Sequence, residues 1–182
     1  QVDKINSQEQ LSQSLALSRE IPEEPIDNYI FRNNGNTTFS KANEDWSVSY
    51  VGFSNGAAYG DLDNDGDLDL VINNIDQEAA IFRNDMQTSS TQNYIKIKLK
   101  GNEKNIHGIG SKVTLFTKSG MQQVQIIMTS KGYQSSVEPL AYFGLNNQEI
   151  IEKITIDWAD GTYQEIAQVV LNELIEITKN SS

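Results

Sequence analysis

Five aspartates occupy every second position in Asp61-Leu62-Asp63-Asn64-Asp65-Gly66-Asp67-Leu68-Asp69. Carboxylates held ~5 Å apart repel by roughly 3 kcal/mol per pair at an effective dielectric of ~20. A compact loop of this composition therefore calls for a counter-cation. Calcium takes about 6 to 8 oxygens at about 2.3 to 2.6 Å, which suits alternating carboxylates, a glycine for the sharp turn and one main-chain carbonyl. Asp61, Asp63, Asp65 and Asp69 are the expected side-chain ligands, with Asp67 offering its main-chain oxygen. Magnesium suits the loop less, because it keeps several waters and tolerates little departure from octahedral geometry. An EF-hand does not fit: its twelfth position is normally a bidentate Glu, whereas counting from Asp61 gives Ile72, and residues 68–74 read as a strand. The alternative is a solvated acidic turn, although a turn alone needs only one or two aspartates.

Other residue types point to weaker chemistry. The lone His107 sits beside Gly108 with no Ser and Asp pattern for a nucleophilic triad, and reads as an exposed turn histidine. Ser135 and Ser136 lack the glycine flanks of a nucleophile elbow. Asp157 with Asp160 or Glu165 could form a glycosidase pair if they lay ~5 to 9 Å apart across a cleft. The competing reading makes Asp160-Gly161 a hairpin turn. Trp46, Tyr50, Tyr133 and Tyr163 could offer a stacking platform for a glycan, while packing of Trp46 over a sheet edge competes with that role. Trp158 shares the parity of Ile154 and Ile156 and is expected in the core.

The elements that must hold these groups are mostly strands. Leu11, Leu15 and Leu17 permit one short amphipathic helix between Ser7 and Ser18, and the Ile21-Pro22-Glu23-Glu24-Pro25 stretch ends it. Beyond it, short apolar runs alternate with Asn, Gly and Asp turns. Tyr94-Ile95-Lys96-Ile97-Lys98-Leu99-Lys100 alternates cleanly, so one face is buried and the other wet. Residues 113–116, 124–128, 154–158 and 173–177 supply further strands, and an antiparallel sandwich or barrel is the natural architecture. The chain has 182 residues and a formal charge of −11, which argues against nucleic acid or an anionic lipid surface as partner. It has no cysteine, hence no disulfide or thiolate chemistry, and no apolar run long enough to cross a bilayer. Its first residue is Gln1 rather than Met, so a processed or excised piece is expected.

Ile30-Phe31-Arg32-Asn33-Asn34 recurs as Ile81-Phe82-Arg83-Asn84-Asp85, an offset of 51 residues and of the order expected between blades of a propeller. Asn33-Asn34-Gly35-Asn36-Thr37-Thr38-Phe39, followed by Ser54-Asn55-Gly56-Ala57-Ala58-Tyr59-Gly60-Asp61 and the acidic loop, resembles the FG-GAP/VCBS repeats of integrin-like propellers and bacterial surface proteins. Thr37 stands where such repeats commonly carry a second glycine. The resemblance implies that Asp61, Asp63, Asp65 and Asp69 hold calcium on a loop joining two strands of a blade. Gly108-Ile109-Gly110-Ser111-Lys112-Val113, Gly132-Tyr133-Gln134-Ser135-Ser136, Phe143-Gly144-Leu145 and Asp157-Trp158-Ala159-Asp160-Gly161 resemble the ASPIC/UnbV module, which often follows VCBS repeats.

The expected fold is all-β. A short N-terminal helix and linker occupy residues 1–25, a truncated propeller-like calcium-binding repeat 26–92, and an antiparallel β-sandwich or barrel 93–182. The ASPIC/UnbV resemblance implies little about activity; the expected function is that of a non-catalytic module of a larger protein, extracellular or at a bacterial cell surface, stabilised by Ca2+ and serving adhesion, assembly or glycan capture, with a glycan or surface protein as partner. A carbohydrate-active hydrolase using Asp157, Asp160 or Glu165 is one alternative, and a structural spacer another.

Overall fold

A computed structural model describes residues 7–20, 22, 24–85 and 92–180. The chain divides between Phe53 and Ser54 into two compact units. The first contains the expected helix, α1 (Ser7–Arg19), with Leu15 and Leu17 both exposed. Ile21 and Glu23 of the following tether lie outside the described residues.

Four short strands follow: β1 (Ile26–Asp27), β2 (Phe31–Asn33), β3 (Phe39–Lys41) and β4 (Val51–Gly52). They pair antiparallel as β1 with β4 and β2 with β3. Strands of two or three residues bury little, and Ala42 is this unit's buried apolar side chain among the described residues. Polar groups take over the organising role. The fully buried Asn43 accepts a hydrogen bond from the Ile30 amide at 3.1 Å and donates to the Asn28 carbonyl and to Asp27. Asp27 also accepts from the Ser49 hydroxyl, the Tyr50 amide and Lys41. Partial burial pulls the Asp27 carboxyl upward, but the bonds from Ser49, Tyr50 and Lys41 outweigh it and hold the group below its ordinary range.

The second unit opens with β5 (Ser54–Gly60), β6 (Asp69–Asn74) and β7 (Ala80–Phe82), an antiparallel sheet in that order. The acidic residues 61–68 form the connection from β5 to β6, and Gly60 pairs with Asp69 at its base. The loop thus joins two strands, with no helix following it. The hairpin of β11 (Ser130–Gly132) and β12 (Ser135–Ser136) packs on β5, where a Cβ on Gly56 would lie 2.7 Å from the Ser135 hydroxyl.

The remaining strands form a sandwich. One sheet runs β13 (Leu140–Leu145), β8 (Asn93–Lys100), β16 (Leu174–Thr178), and the other runs β10 (Gln122–Ile126), β9 (Lys112–Thr117), β14 (Ile151–Asp157), β15 (Tyr163–Ile166). Ile95, Ile97 and Leu99 of β8 meet Val113, Leu115, Phe143, Ile154, Ile156 and Trp158 in one core, each at most 5% exposed. The alternation of β8 and the parity of Trp158 are as expected. Burying an aliphatic or aromatic side chain of this size contributes roughly 1.5 to 3 kcal/mol, so this cluster dominates the unit's stability.

Two features depart from the expected pattern. β16 runs parallel to β8, so the sandwich is not wholly antiparallel. In β10, which begins two residues earlier than the apolar run suggests, Val124 and Ile126 are exposed while Gln123 and Gln125 turn inward. The reason lies in the facing edge of the other sheet. Gln123 donates to the Gly144 carbonyl at 2.7 Å, and Gln125 donates to the Tyr142 carbonyl while accepting from the Tyr142 amide. Glutamine side chains thereby complete the hydrogen bonding of edge strand β13, which apolar side chains could not do.

Candidate metal centre

The loop is shaped by its own backbone amides. Asp61 accepts from the Gly66 amide at 3.1 Å and Asp65 from the Asp67 amide at 3.1 Å, so the chain winds around these carboxylates. Asn64 and Gly66 adopt left-handed φ values of 62° and 101°. Asparagine tolerates this conformation and glycine adopts it freely. At Gly66 space is also lacking, because a Cβ would run into the Tyr94 ring.

Asp61, Asp63 and Asp65 each bring one carboxylate oxygen into a group whose members all lie within 4.8 Å of one another. The Asp61 side chain is 2% exposed. Its Oδ2 carries the Gly66 amide and the Lys96 ammonium, whereas its Oδ1 is buried without a hydrogen-bond partner. Leaving a buried carboxylate oxygen bare is costly, and a divalent ion would satisfy it. The donor set is entirely oxygen, which fits calcium.

Asp69 stands differently from the other expected ligands. It is buried at 2%, with one oxygen receiving the Leu62 amide at 2.9 Å and the other the Asn84 amide at 2.8 Å. It clamps the start of the loop to its end and to the segment after β7. Asp67 is half-buried in the same turn. Lys96 is a site residue that sequence reasoning missed. The alternation of β8 places it on the wet face with Lys98 and Lys100, and those two pair with the exposed Glu176. Lys96 instead lies under the acidic loop, its side chain 12% exposed.

The other named residues divide between the two units. Trp46 and Tyr50 belong to the first unit, and Tyr133 and Tyr163 to the second. Trp46 is 43% exposed, not packed away, with the Arg32 guanidinium 5.2 Å from its ring centroid; Tyr50 is half-buried. Tyr133 and Tyr163 are well exposed, and the Tyr163 hydroxyl donates to Glu165 at 2.9 Å. His107 is an exposed turn residue.

The three carboxylates considered for hydrolysis are each neutralised by a separate lysine: Asp157 by Lys112, Asp160 by Lys179 and Glu165 by Lys153. Bonds from Lys179 and then Thr162 draw the Asp160 carboxyl down to about 2. Lys153 and then Tyr163 hold Glu165 below its ordinary range. A general acid needs the opposite shift.

Comparison with known proteins defines the class. Residues 23–72 match the FG-GAP-like repeat and residues 101–182 match the ASPIC and UnbV domain. The chain carries an FG-GAP-like repeat followed by an ASPIC/UnbV domain, with the acidic loop inside the first match and Lys96 between the two. Such domains are generally non-catalytic repeat and binding modules, and together they suggest an extracellular adhesion-type module. Among curated relatives, the chain is 28% identical to cartilage acidic protein 1 of Mus musculus over 153 residues, covering 81% of this chain and 23% of that protein. It is 27% identical to the Homo sapiens protein of the same name, with 81% and 22% coverage, and 28% identical to that of Xenopus tropicalis, with 69% and 20%. The chain thus spans roughly a fifth of the length of these relatives. Among the described residues, no helix is long and apolar enough to cross a membrane.

Proposed function

We propose that the loop from Asp61 to Asp69 binds one calcium ion, and that the chain is a calcium-stabilised, non-catalytic binding module working outside the cell. The observation that carries this reading is the convergence of one carboxylate oxygen each from Asp61, Asp63 and Asp65 within 4.8 Å of one another, on a loop where Asp61 also keeps a buried, partnerless Oδ1. Asp67 contributes its main-chain carbonyl. Asp69 uses two of its roughly four lone-pair positions on amides, which leaves it able to complete the set.

The ion's role is structural: it neutralises the clustered charge and fixes the β5–β6 connection. An ion at about one to ten times its dissociation constant adds about 0.4 to 1.4 kcal/mol to the folded state, an appreciable share of a domain's marginal stability. Weak extracellular sites of about 10⁻⁴ to 10⁻³ M fill at the calcium levels found outside cells and stay empty in the cytosol. The partner is a glycan or a surface protein, for which each unit by itself offers exposed rings: Trp46 on the first, Tyr133 and Tyr163 on the second. The matched relatives are vertebrate, so the reading is not tied to bacterial surfaces.

Thermal unfolding in millimolar calcium and in excess chelator tests the metal assignment. Calcium is expected to raise the transition of the second unit by several degrees, and Asp63→Asn to shrink that rise. Identical transitions in both solutions would remove the proposal.

A further inference from the structure

We propose that Lys96 is a built-in competitor for the metal: a tethered cation that neutralises Asp61 when the loop holds no ion and must give way when a divalent ion enters. This rests on the calcium reading of the loop and assigns that site its regulation.

The Lys96 ammonium contacts Asp61 Oδ2, on the same carboxylate whose other oxygen has no partner. Their side chains are 12% and 2% exposed, so water screens the pair little. Lys96 projects from β8 between Tyr142 on β13 and Leu174 on β16. Its ammonium also lies 5.5 Å from the Tyr94 ring centroid. Tyr94 is the ring that closes against Gly66, so the lysine reaches the loop at its glycine turn. Lys98 and Lys100 have a nearby acid on β16 in Glu176, whereas Lys96 faces Leu174 there and meets Asp61 instead.

An ion held by Asp61, Asp63 and Asp65 would share a carboxylate with this ammonium, and like charges in a poorly screened site repel strongly. Entry of the ion therefore displaces the ammonium from Asp61 toward solvent. Two consequences follow. The lysine lowers calcium affinity below what the oxygens alone would give, which moves the response toward the high calcium of extracellular fluid. It also keeps the metal-free unit folded by sparing Asp61 an uncompensated buried charge.

Calorimetric calcium titration and melting in chelator of the full chain, as wild type, Lys96→Met, Lys96→Gln and Asp63→Asn, test this. Lys96→Met is expected to bind calcium at least tenfold more tightly than wild type, to melt lower in chelator and to recover in saturating calcium. Lys96→Gln keeps a hydrogen-bond donor toward Asp61 without the charge, and is expected to gain affinity with a smaller loss in chelator. In wild type, amine labelling read by mass spectrometry is expected to modify Lys96 faster with calcium than with chelator. Affinity unchanged within twofold, or weakened, in both Lys96 variants would overturn the competitor role while leaving the calcium site standing. If neither wild type nor the Lys96 variants bound calcium, the site itself would fail and the competitor with it.

Discussion

Gly66 shows how one residue can be constrained twice over. Its φ of 101° is strained for any residue with a side chain, and the Tyr94 ring occupies the place of a Cβ. Gly66→Ala is expected to destabilise the second unit by about 2 kcal/mol or more, read as a lower urea midpoint, and to weaken calcium binding because the Gly66 amide orients Asp61. Thr37 is the reverse case. The sequence has a β-branched residue where the repeat commonly has glycine, and the backbone there still adopts φ 66°. The turn keeps its geometry and carries the strain. Replacing Thr37 by glycine should raise the stability of the β2–β3 hairpin by about 1 kcal/mol. Slower hydrogen exchange at residues 31–41 would report it, and unchanged or faster exchange would contradict it.

Among the elements, side chains join what the main chain leaves open. Gln123 and Gln125 tie β10 to β13 across the sandwich, and Gln164 joins Trp158 Nε1 at 3.2 Å to the Thr178 carbonyl of β16. Lys179, just beyond β16, pairs with Asp160 in the turn between β14 and β15 and stands 5.9 Å from the Trp158 ring. That contact has a pH signature. The folded Asp160 carboxyl sits at about 2 against an ordinary 3.8, so its stabilising effect is complete above about pH 4 and disappears as pH falls toward 2. Asp160→Asn is expected to flatten this part of the acid limb in urea titrations between pH 5 and pH 2. A limb as steep as that of wild type would show that the pair contributes nothing. The same depression counts against Asp160 as a general acid.

On the scale of the whole molecule, the division into units decides what an ion bound at the proposed site can stabilise. The acidic loop and β8 both lie in the second unit, while the first unit carries none of the loop's carboxylates. Calcium is therefore expected to slow amide exchange at residues 61–69 and 94–96 and to leave residues 26–52 unchanged. Equal protection of both regions, or of neither, would contradict a site confined to this loop. The net charge of −11 favours cation uptake in general, so magnesium at the same ionic strength is the control that separates a specific site from charge screening.

Spacing along the chain was enough to identify the acidic loop, its place between strands, the buried face of β8 and the core role of Trp158, because each depends on local periodicity or local charge density. It was also enough to place His107 in an exposed turn. Contacts between distant positions were settled only by the tertiary fold. Alternation puts Lys96, Lys98 and Lys100 on one face and gives no sign that the first meets Asp61, 35 residues earlier. Nothing local shows that Asp69 binds amides from two segments, that Trp46 remains exposed, that β16 runs parallel to β8, or that glutamines of β10 face inward. Period and composition select the face a residue presents. The register and order of strands brought together from afar select what that face meets.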